Sequence, residues 1–291
     1  MPLMVFPAHR GRENVEELLS GIAWRLKPET MKIATWNING VKARIDNLLR
    51  WLKESAPDIA CLQEIKSVDE QFPRLEIEAL GYHVETHGQK GFNGVAILSK
   101  KSPDEVVRGL PGDDTDEQAR FIEAVFSREG GGVLRVASLY LPNGNPAHTE
   151  KYTYKLGWMK RLERWAESRL KLAEPLVLAG DYNVIPQAED AKHPEQWLND
   201  ALFLPETRKA FRRLENLGLA DAVRLTSDAA DLYTFWDYQA GAWRRDNGIR
   251  IDHLLLSPEA ADRLVYADIE KHVRAWDKPS DHVPVVVKLK V

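Results

Sequence analysis

Short apolar runs alternate with amphipathic stretches, and the alternation begins at Lys32. Lys32–Trp36 predicts a strand that closes on Asn37-Ile38-Asn39-Gly40. Arg44 to Ser55 places Leu48, Leu49 and Leu52 on one helical face and is stopped near Pro57. Asp58–Gln63 predicts a buried strand that delivers Glu64. Tyr82–Thr86 and Gly94–Ser99 predict strands around a glycine-rich loop, His87–Asn93. Arg120–Ser127 and Val133–Leu141 predict a hairpin joined through Gly130-Gly131-Gly132. Thr149 to Leu172 reads as a long helix rich in Lys, Arg and aromatics. Leu176–Gly180 is an apolar strand delivering Asp181-Tyr182-Asn183, and residues 186–204 read as an irregular loop with one or two helical turns. Glu206–Leu217 predicts a helix ended by Gly218. Late strands are expected at Leu232–Trp236, Ile249–Leu256, Ala267–Lys271 and Val283–Leu289.

Hairpins and crossovers both occur, and no low-complexity linker or short repeat divides the chain. The pattern therefore predicts a mixed α/β sandwich in one domain rather than an all-parallel sheet. Residues 1–30 stand apart. Glu13 to Lys27 predicts an amphipathic helix, with no long apolar core of a secretory signal and with acids breaking any transit-peptide pattern. Met31 directly precedes the first strand. The domain is expected over residues 31–291, with residues 1–30 an extension or an over-called start.

Composition narrows the class. With 291 residues, 44% of them hydrophobic, the chain can bury a sizeable core. No apolar run is long enough for a membrane span. The lone cysteine, Cys61, excludes an internal disulfide, fits a reducing cytosol, and in its apolar run reads as a buried thiol. The net charge of −4 does not advertise a nucleic-acid partner, which would need a local basic face or a metal offsetting clustered acids. The glycine-rich loop has neither the GxGxxG nor the GxxxxGK[ST] spacing, so no nucleotide-cradling motif is present.

The candidate chemistry lies at strand ends. Asn37, Glu64, Tyr140, Asp181, Asn183, Asp252, Asp281 and His282 each end or follow an apolar run. Singly each has an ordinary explanation: the asparagines as turn formers, Glu64 as a cap, Asp181-Tyr182-Asn183 as an Asx-turn. Asp252 sits in an apolar strand, where a carboxylate is costly to bury unless paired. Recurrence at one strand end after another is the signal.

Six motifs in order, Trp36-Asn37-Ile38-Asn39-Gly40, Leu62-Gln63-Glu64-Ile65-Lys66, Tyr140-Leu141-Pro142-Asn143, Gly180-Asp181-Tyr182-Asn183, Arg250-Ile251-Asp252 and Pro279-Ser280-Asp281-His282, resemble the signature set of the exonuclease III family of abasic-site endonucleases. That family lies within the endonuclease/exonuclease/phosphatase superfamily. The resemblance implies a four-layer α/β sandwich of two packed mixed sheets flanked by helices (DNase I-like). It also implies a metal-dependent phosphodiester hydrolase that cleaves duplex DNA 5′ to abasic sites and leaves a 3′-hydroxyl. A 3′→5′ exonuclease and a 3′-phosphatase activity are expected beside it.

The residues support such chemistry. Phosphoryl transfer to water needs an oriented nucleophile, offset charge and a stabilised leaving oxygen. Carboxylate and amide oxygens suit a hard cation, Mg²⁺ with Mn²⁺ as a substitute, and no His/Cys cluster suits zinc. Glu64 is the first expected ligand, helped by Asn37 or Asn39 and by Asp281, with Asp181 and Asn183 in the wider ligand set. Asp181 is expected to orient or deprotonate water with Asn183 holding it. His282 is expected to donate to a phosphate oxygen, its tautomer fixed by Asp252. Tyr140 hydrogen-bonds the phosphate or protonates the leaving oxygen. Lys66, Lys90, Arg120 and Asn143 match family positions near phosphates. Lys151, Lys155, Lys160 and Arg161, and separately Arg244, Arg245 and Arg250, form basic groups that contact DNA or are solvated faces. Tyr233-Thr234-Phe235-Trp236 and Trp243 are candidate walls of a pocket for a sugar without its base, with Trp236 a DNA contact or core. The expected partner is double-stranded DNA with abasic sites or blocked 3′ ends, engaged by a monomer in the cytosol at the nucleoid, with no membrane partner. A phosphatase acting on phosphoinositides or small phosphate esters would keep the same metal and histidine, but Lys66, Gln89-Lys90 and Asn143 speak against it.

Overall fold

A computed structural model of the protein describes residues 30–129 and 131–290. Its first half runs β1 (Thr30–Asn37), α1 (Ile45–Glu54), β2 (Ile59–Gln63), α2 (Arg74–Glu78), β3 (His83–His87), β4 (Val95–Ser99), β5 (Glu105–Arg108), β6 (Phe121–Ser127) and β7 (Val133–Tyr140). It continues through α3 (Glu150–Leu170), β8 (Leu176–Asp181), α4 (Pro205–Asn216), β9 (Ala220–Asp221), α5 (Ala222–Thr226), β10 (Asp252–Leu256), α6 (Pro258–Ala261), β11 (Leu264–Ile269) and β12 (Val285–Lys290). The helix expected at Glu13–Lys27 lies outside the described residues. Among them, no helix is long and apolar enough to cross a membrane.

The strands form two six-stranded mixed sheets, ordered β11-β12-β1-β2-β4-β3 and β5-β6-β7-β8-β10-β9. Each sheet has one parallel pair at its centre, β1 with β2 and β7 with β8. The remaining partners are antiparallel. This is the four-layer sandwich that the motifs implied.

Period-two alternation explains why the sandwich closes. Ile33, Cys61, Val95, Val136, Val177 and Val285 face inward and form the core between the sheets. Their neighbours Ala34, Trp36, Leu62 and Val286 face outward against Leu48, Trp51 and Leu52 of α1. On the other sheet Leu139, Leu178 and Leu255 pack against Trp158, Leu162 and Phe211 of α3 and α4. Central strands covered on both faces read as continuous apolar runs rather than alternating ones.

Three late strands differ from expectation. Leu232–Trp236 is not a strand: only Phe235 bridges, to Ile249 and to His282. The ladder is interrupted because the Thr234 hydroxyl accepts from both the Ile251 and the Asp252 N–H groups, at 3.1 and 3.2 Å. For the same reason β10 starts at Asp252 and not at Ile249. The segment from Ala267 is strand only to Ile269, and a 3₁₀ turn, Lys271–Ala275, follows. Strand β5 was not anticipated. It is four residues long at a sheet edge, with exposed charged ends and half-buried valines, too short for a periodic signal.

The topology brings the carboxyl ends of β1, β2, β7 and β8 to one end of the sandwich. The amino ends of β10 and β12 join them, because Asp252 pairs with Asp181 and Val285 with Thr35 across antiparallel ladders.

Candidate active site

At that end Asn37 lies on the floor, fully buried. Its amide donates to Glu64 Oε1 and to Asp181 Oδ2, both at 2.9 Å, and so joins carboxylates carried by different sheets. Its Oδ1 accepts from the Asn39 N–H at 3.0 Å. Below it a buried polar chain stitches the sheets together. Thr35 donates to Gln63 Oε1 and Gln63 to the Ser138 hydroxyl, each at 3.1 Å.

Glu64, Lys66, Asn39 and Asn183 all have left-handed backbones, with φ of 47°, 50°, 48° and 47°. Such conformations cost about 1–3 kcal/mol each and persist only where the surroundings over-determine them. Here the Gly40 N–H donates to the Glu64 carbonyl at 2.7 Å, and the Ile65 and Lys66 N–H groups donate to Gly94 and Asn93. The strain turns Glu64 into the cleft instead of along the sheet.

His282 and Asp252 form the second half of the site. Nδ1 of His282 is 2.8 Å from Asp252 Oδ2, and Nε2 is 3.7 Å from Asp181 Oδ2. Burial alone would lower the imidazole pKa, but Asp252 and then Asp181 outweigh it and raise it well above its ordinary value. A protonated imidazole offers Nε2–H to the cleft as a donor. Asp181 shifts the other way from a normal carboxylate: burial pushes it up to about 7, against the pull of His282. Glu64 would also be raised by burial, but the hydrogen bond from Asn37 and the Lys66 ammonium bring it below the usual carboxylate value. Burial, then the charges of Glu64 and Asp181, raise Tyr140 well above an ordinary phenol, so it remains a donor at neutral pH.

The structure brings together Asn37, Glu64, Tyr140, Asp181, Asp252 and His282. One ligand atom each of Glu64, Asp181 and His282 lies within 4.8 Å of the others. Asn39 and Asp281 sit at the rim, Asn39 Nδ2 donating to Asp281 Oδ1 at 2.9 Å. Lys66 reaches back between Glu64 Oε2, at 2.8 Å, and the Asn39 side-chain oxygen. The Lys66 ammonium lies beside these oxygens, and the carboxylate and amide oxygens of Glu64, Asp181, Asn39 and Asp281 fit a hard divalent ion, with the His282 nitrogen facing the same point. Two expected ligands are otherwise engaged. Asn37 turns its NH₂ group, not its oxygen, to the carboxylates. Asn183 spends its side chain on Asn143 Nδ2, at 3.1 Å, and on the Leu141 carbonyl, at 2.9 Å.

The outer contacts separate into exposed and buried groups. Lys90 and Asn143 are exposed, and Arg120 is half-buried with its guanidinium 4.9 Å over the Tyr140 ring. Trp236 does not present its ring to DNA. It is fully buried, donates Nε1–H to Asp246 at 3.0 Å and packs on Trp243. The aromatic beside the site is Phe235, half-buried and 4.9 Å from the His282 ring. Arg250 is also no surface contact: it is 1% exposed and salt-bridged to Asp190 and Asp221. Lys155 is likewise buried, and Arg161 nearly so, held by Asp116 at 2.7 Å. A sequence signal for Lys155 did exist: it falls on the helical stripe of Tyr152, Trp158, Met159 and Leu162 that faces the core.

Comparison with known proteins identifies the family. Residues 34–282 match the Endonuclease/Exonuclease/phosphatase family. The chain is 38% identical over 268 residues to Exodeoxyribonuclease III of Haemophilus influenzae, an alignment covering 89% of this chain and 100% of that protein. An AP endonuclease from Archaeoglobus fulgidus has the same fold, with a TM-score of 0.84 at 37% identity over 90% of this chain and 100% of that one. A 3′-5′ exonuclease (NExo) from Neisseria meningitidis gives 0.85 at 35% identity, with the same coverage. The chain belongs to the endonuclease/exonuclease/phosphatase family and, within it, to the exonuclease III group.

Proposed function

We propose that the protein is a Mg²⁺-dependent DNA-repair nuclease that hydrolyses the backbone of duplex DNA 5′ to an abasic site. The product carries a 3′-hydroxyl, and the same centre trims 3′ ends and removes 3′ phosphates. The observation that carries the reading is the single cleft in which Asn37 joins Glu64 to Asp181 while Asp252 holds His282.

Glu64 would hold the metal with Asn39, Asp281 and Asp181, and the bound cation would offset charge on the phosphoryl oxygens. His282 donates Nε2–H to a non-bridging phosphate oxygen, and Asp252 fixes the ring by its contact to Nδ1. Asp181, held at the cleft floor by the Asn37 amide and facing His282, orients water and takes its proton. The Asn183 N–H steadies Asp181 Oδ1 at 2.8 Å. Tyr140 stays protonated and donates toward the leaving oxygen. Phe235, beside His282, forms a wall against which a sugar without its base can lie. Lys90, Arg120 and Asn143 hold flanking phosphates, which fixes register without reading sequence.

The test is a duplex with one reduced abasic site, offered in Mg²⁺ and in EDTA beside an intact duplex and inositol phosphates. Metal-dependent incision 5′ to the lesion, with a 3′-hydroxyl product, is the expected result. Release of phosphate from inositol phosphates with the abasic duplex untouched would replace this reading with a phosphatase.

A further inference from the structure

Lys155 projects from α3 into the protein and is 0% exposed. Its ammonium has no carboxylate within salt-bridge distance among the described residues. It donates instead to two backbone carbonyls, Asn183 at 2.6 Å and Asn143 at 3.0 Å. Burial pushes the Lys155 amine down to about 7, so an amine held there by carbonyls alone is costly relative to an apolar side chain of similar size. Packing does not require it, since an apolar residue would fill the same stripe of α3.

The two carbonyls belong to the two loops that finish the site. One follows β7 and carries Asn143; the other follows β8 and carries Asn183. The loops also meet through Asn143 Nδ2 and Asn183 Oδ1. The Asn183 N–H, one Cα from the Asn183 carbonyl and on the preceding peptide, donates to Asp181 Oδ1 at 2.8 Å. Lys155 and Asp181 thus hold the two peptides flanking the Asn183 Cα. Gly144 is cut to fit this lysine: a Cβ there would lie 2.6 Å from Lys155 Cδ, and its φ is +87°.

We infer that Lys155 is a positioning residue that clamps the Asn143 and Asn183 loops and thereby sets Asp181 for attack on the phosphate. The inference rests on the hydrolytic reading of the site. It concerns a residue that touches neither substrate nor metal, so its loss should act on turnover more than on substrate binding.

The experiment compares wild type with Lys155→Met, which keeps the length and removes the donors. A second protein restores the amine donor chemically. Lys155→Cys is made in a Cys61→Ala background, alkylated unfolded with 2-bromoethylamine to place an ammonium at the lysine distance, and refolded. Steady-state cleavage of the abasic duplex in Mg²⁺ is measured for each, with the refolded Cys61→Ala protein as control. Thermal midpoints are recorded, and so are the side-chain amide resonances of Asn143 and Asn183. Lys155→Met is expected to lose about 10–100-fold in kcat, the usual cost of removing an orienting partner, with KM nearly unchanged. The alkylated protein should recover most of that loss, and both asparagine amides should shift in the Met variant. A folded Lys155→Met protein with wild-type kcat and unmoved amides would overturn the clamp, as would an alkylated protein no better than Lys155→Met. Failure of wild type itself to cleave would count against the hydrolytic reading, while the amide resonances would still decide the clamp.

Discussion

Asp252 is the residue whose environment says most about its role. It is fully buried, one oxygen is spent on His282, and the other has no hydrogen-bond partner. A buried carboxylate in that state favours a protonated imidazole beside it. Asp252→Asn removes the charge but keeps the shape. We expect its kcat to fall by about 10²–10⁴-fold. The His282 pKa, read by NMR of the ring in the metal-free protein, should drop from well above neutral toward the ordinary imidazole value. An unchanged ring titration would separate Asp252 from His282. The adjacent aromatics make a second contrast. Trp236→Ala should cost about 3–5 kcal/mol of stability in urea unfolding, as large core truncations do. Phe235→Ala should leave stability nearly intact and weaken selection of abasic over intact duplex. Equal stability losses in the two would mean that the assignment of core and wall is reversed. The tetrapeptide around them was legible as aromatic but not as to which ring faces outward, because a backbone held by Thr234 and isolated bridges does not obey period-two alternation.

At the scale of elements, β10 and the loop after β8 are pinned by a buried ionic cluster. Arg250 binds Asp190 and Asp221, and His253 Nδ1 lies 3.3 Å from Asp221. Burial would raise the Asp221 pKa, but Arg250 and His253 hold it far below the carboxylate range. A depressed folded pKa means that the stabilisation is complete above the unfolded value, about 3.9 for Asp, and is lost as the pH falls through the folded value. Asp190 is also lowered, again by Arg250 against burial, and adds to the same acid-side loss. Asp221→Asn should cost about 3–5 kcal/mol at pH 7, the usual penalty of breaking a buried pair. It should also flatten the decline of stability below about pH 4, where Asp begins to protonate when unfolded. Urea unfolding across pH checks both, and a variant as acid-sensitive as wild type would contradict the assignment. This cluster also explains His253, which in sequence is an unaccountable neighbour of Asp252. Period two turns it to the outer face of the sheet, where it meets Tyr182 and Phe211 instead of the cleft. The long strands and helices were legible because both faces or a full stripe are apolar. The edge strand β5 and the short β9 were not, since so few residues carry no period.

For the whole molecule, charge is negative overall, and basic side chains stand among the acids of the site. The net charge is −4, yet Lys66 lies against Glu64, Arg120 lies over the Tyr140 ring, and Lys90 is exposed on the loop after β3. Duplex binding should therefore weaken with salt in spite of the acidic chain, and Lys90→Ala should reduce the slope of log K against log salt by about 0.9. An unchanged slope would remove Lys90 from the interface. The same separation between global and local explains what the sequence showed of the site. The polar strand ends were visible one by one because each interrupts an apolar run. That they meet follows from two parallel strand pairs sharing one end of the sandwich, which the family motifs implied and local pattern did not. Lys155 was weighed only as a DNA contact or a solvated face, although its place in the apolar stripe of α3 puts it in the core. One centre, built from both sheets, should perform the hydrolysis, and single-turnover cleavage of a reduced-abasic duplex in Mg²⁺ by wild type, Glu64→Ala and His282→Ala measures it. Each folded variant should lose at least about 10²-fold in rate, the scale of one electrostatic or acid–base group. A folded variant of either residue that cleaves at the wild-type rate would contradict it.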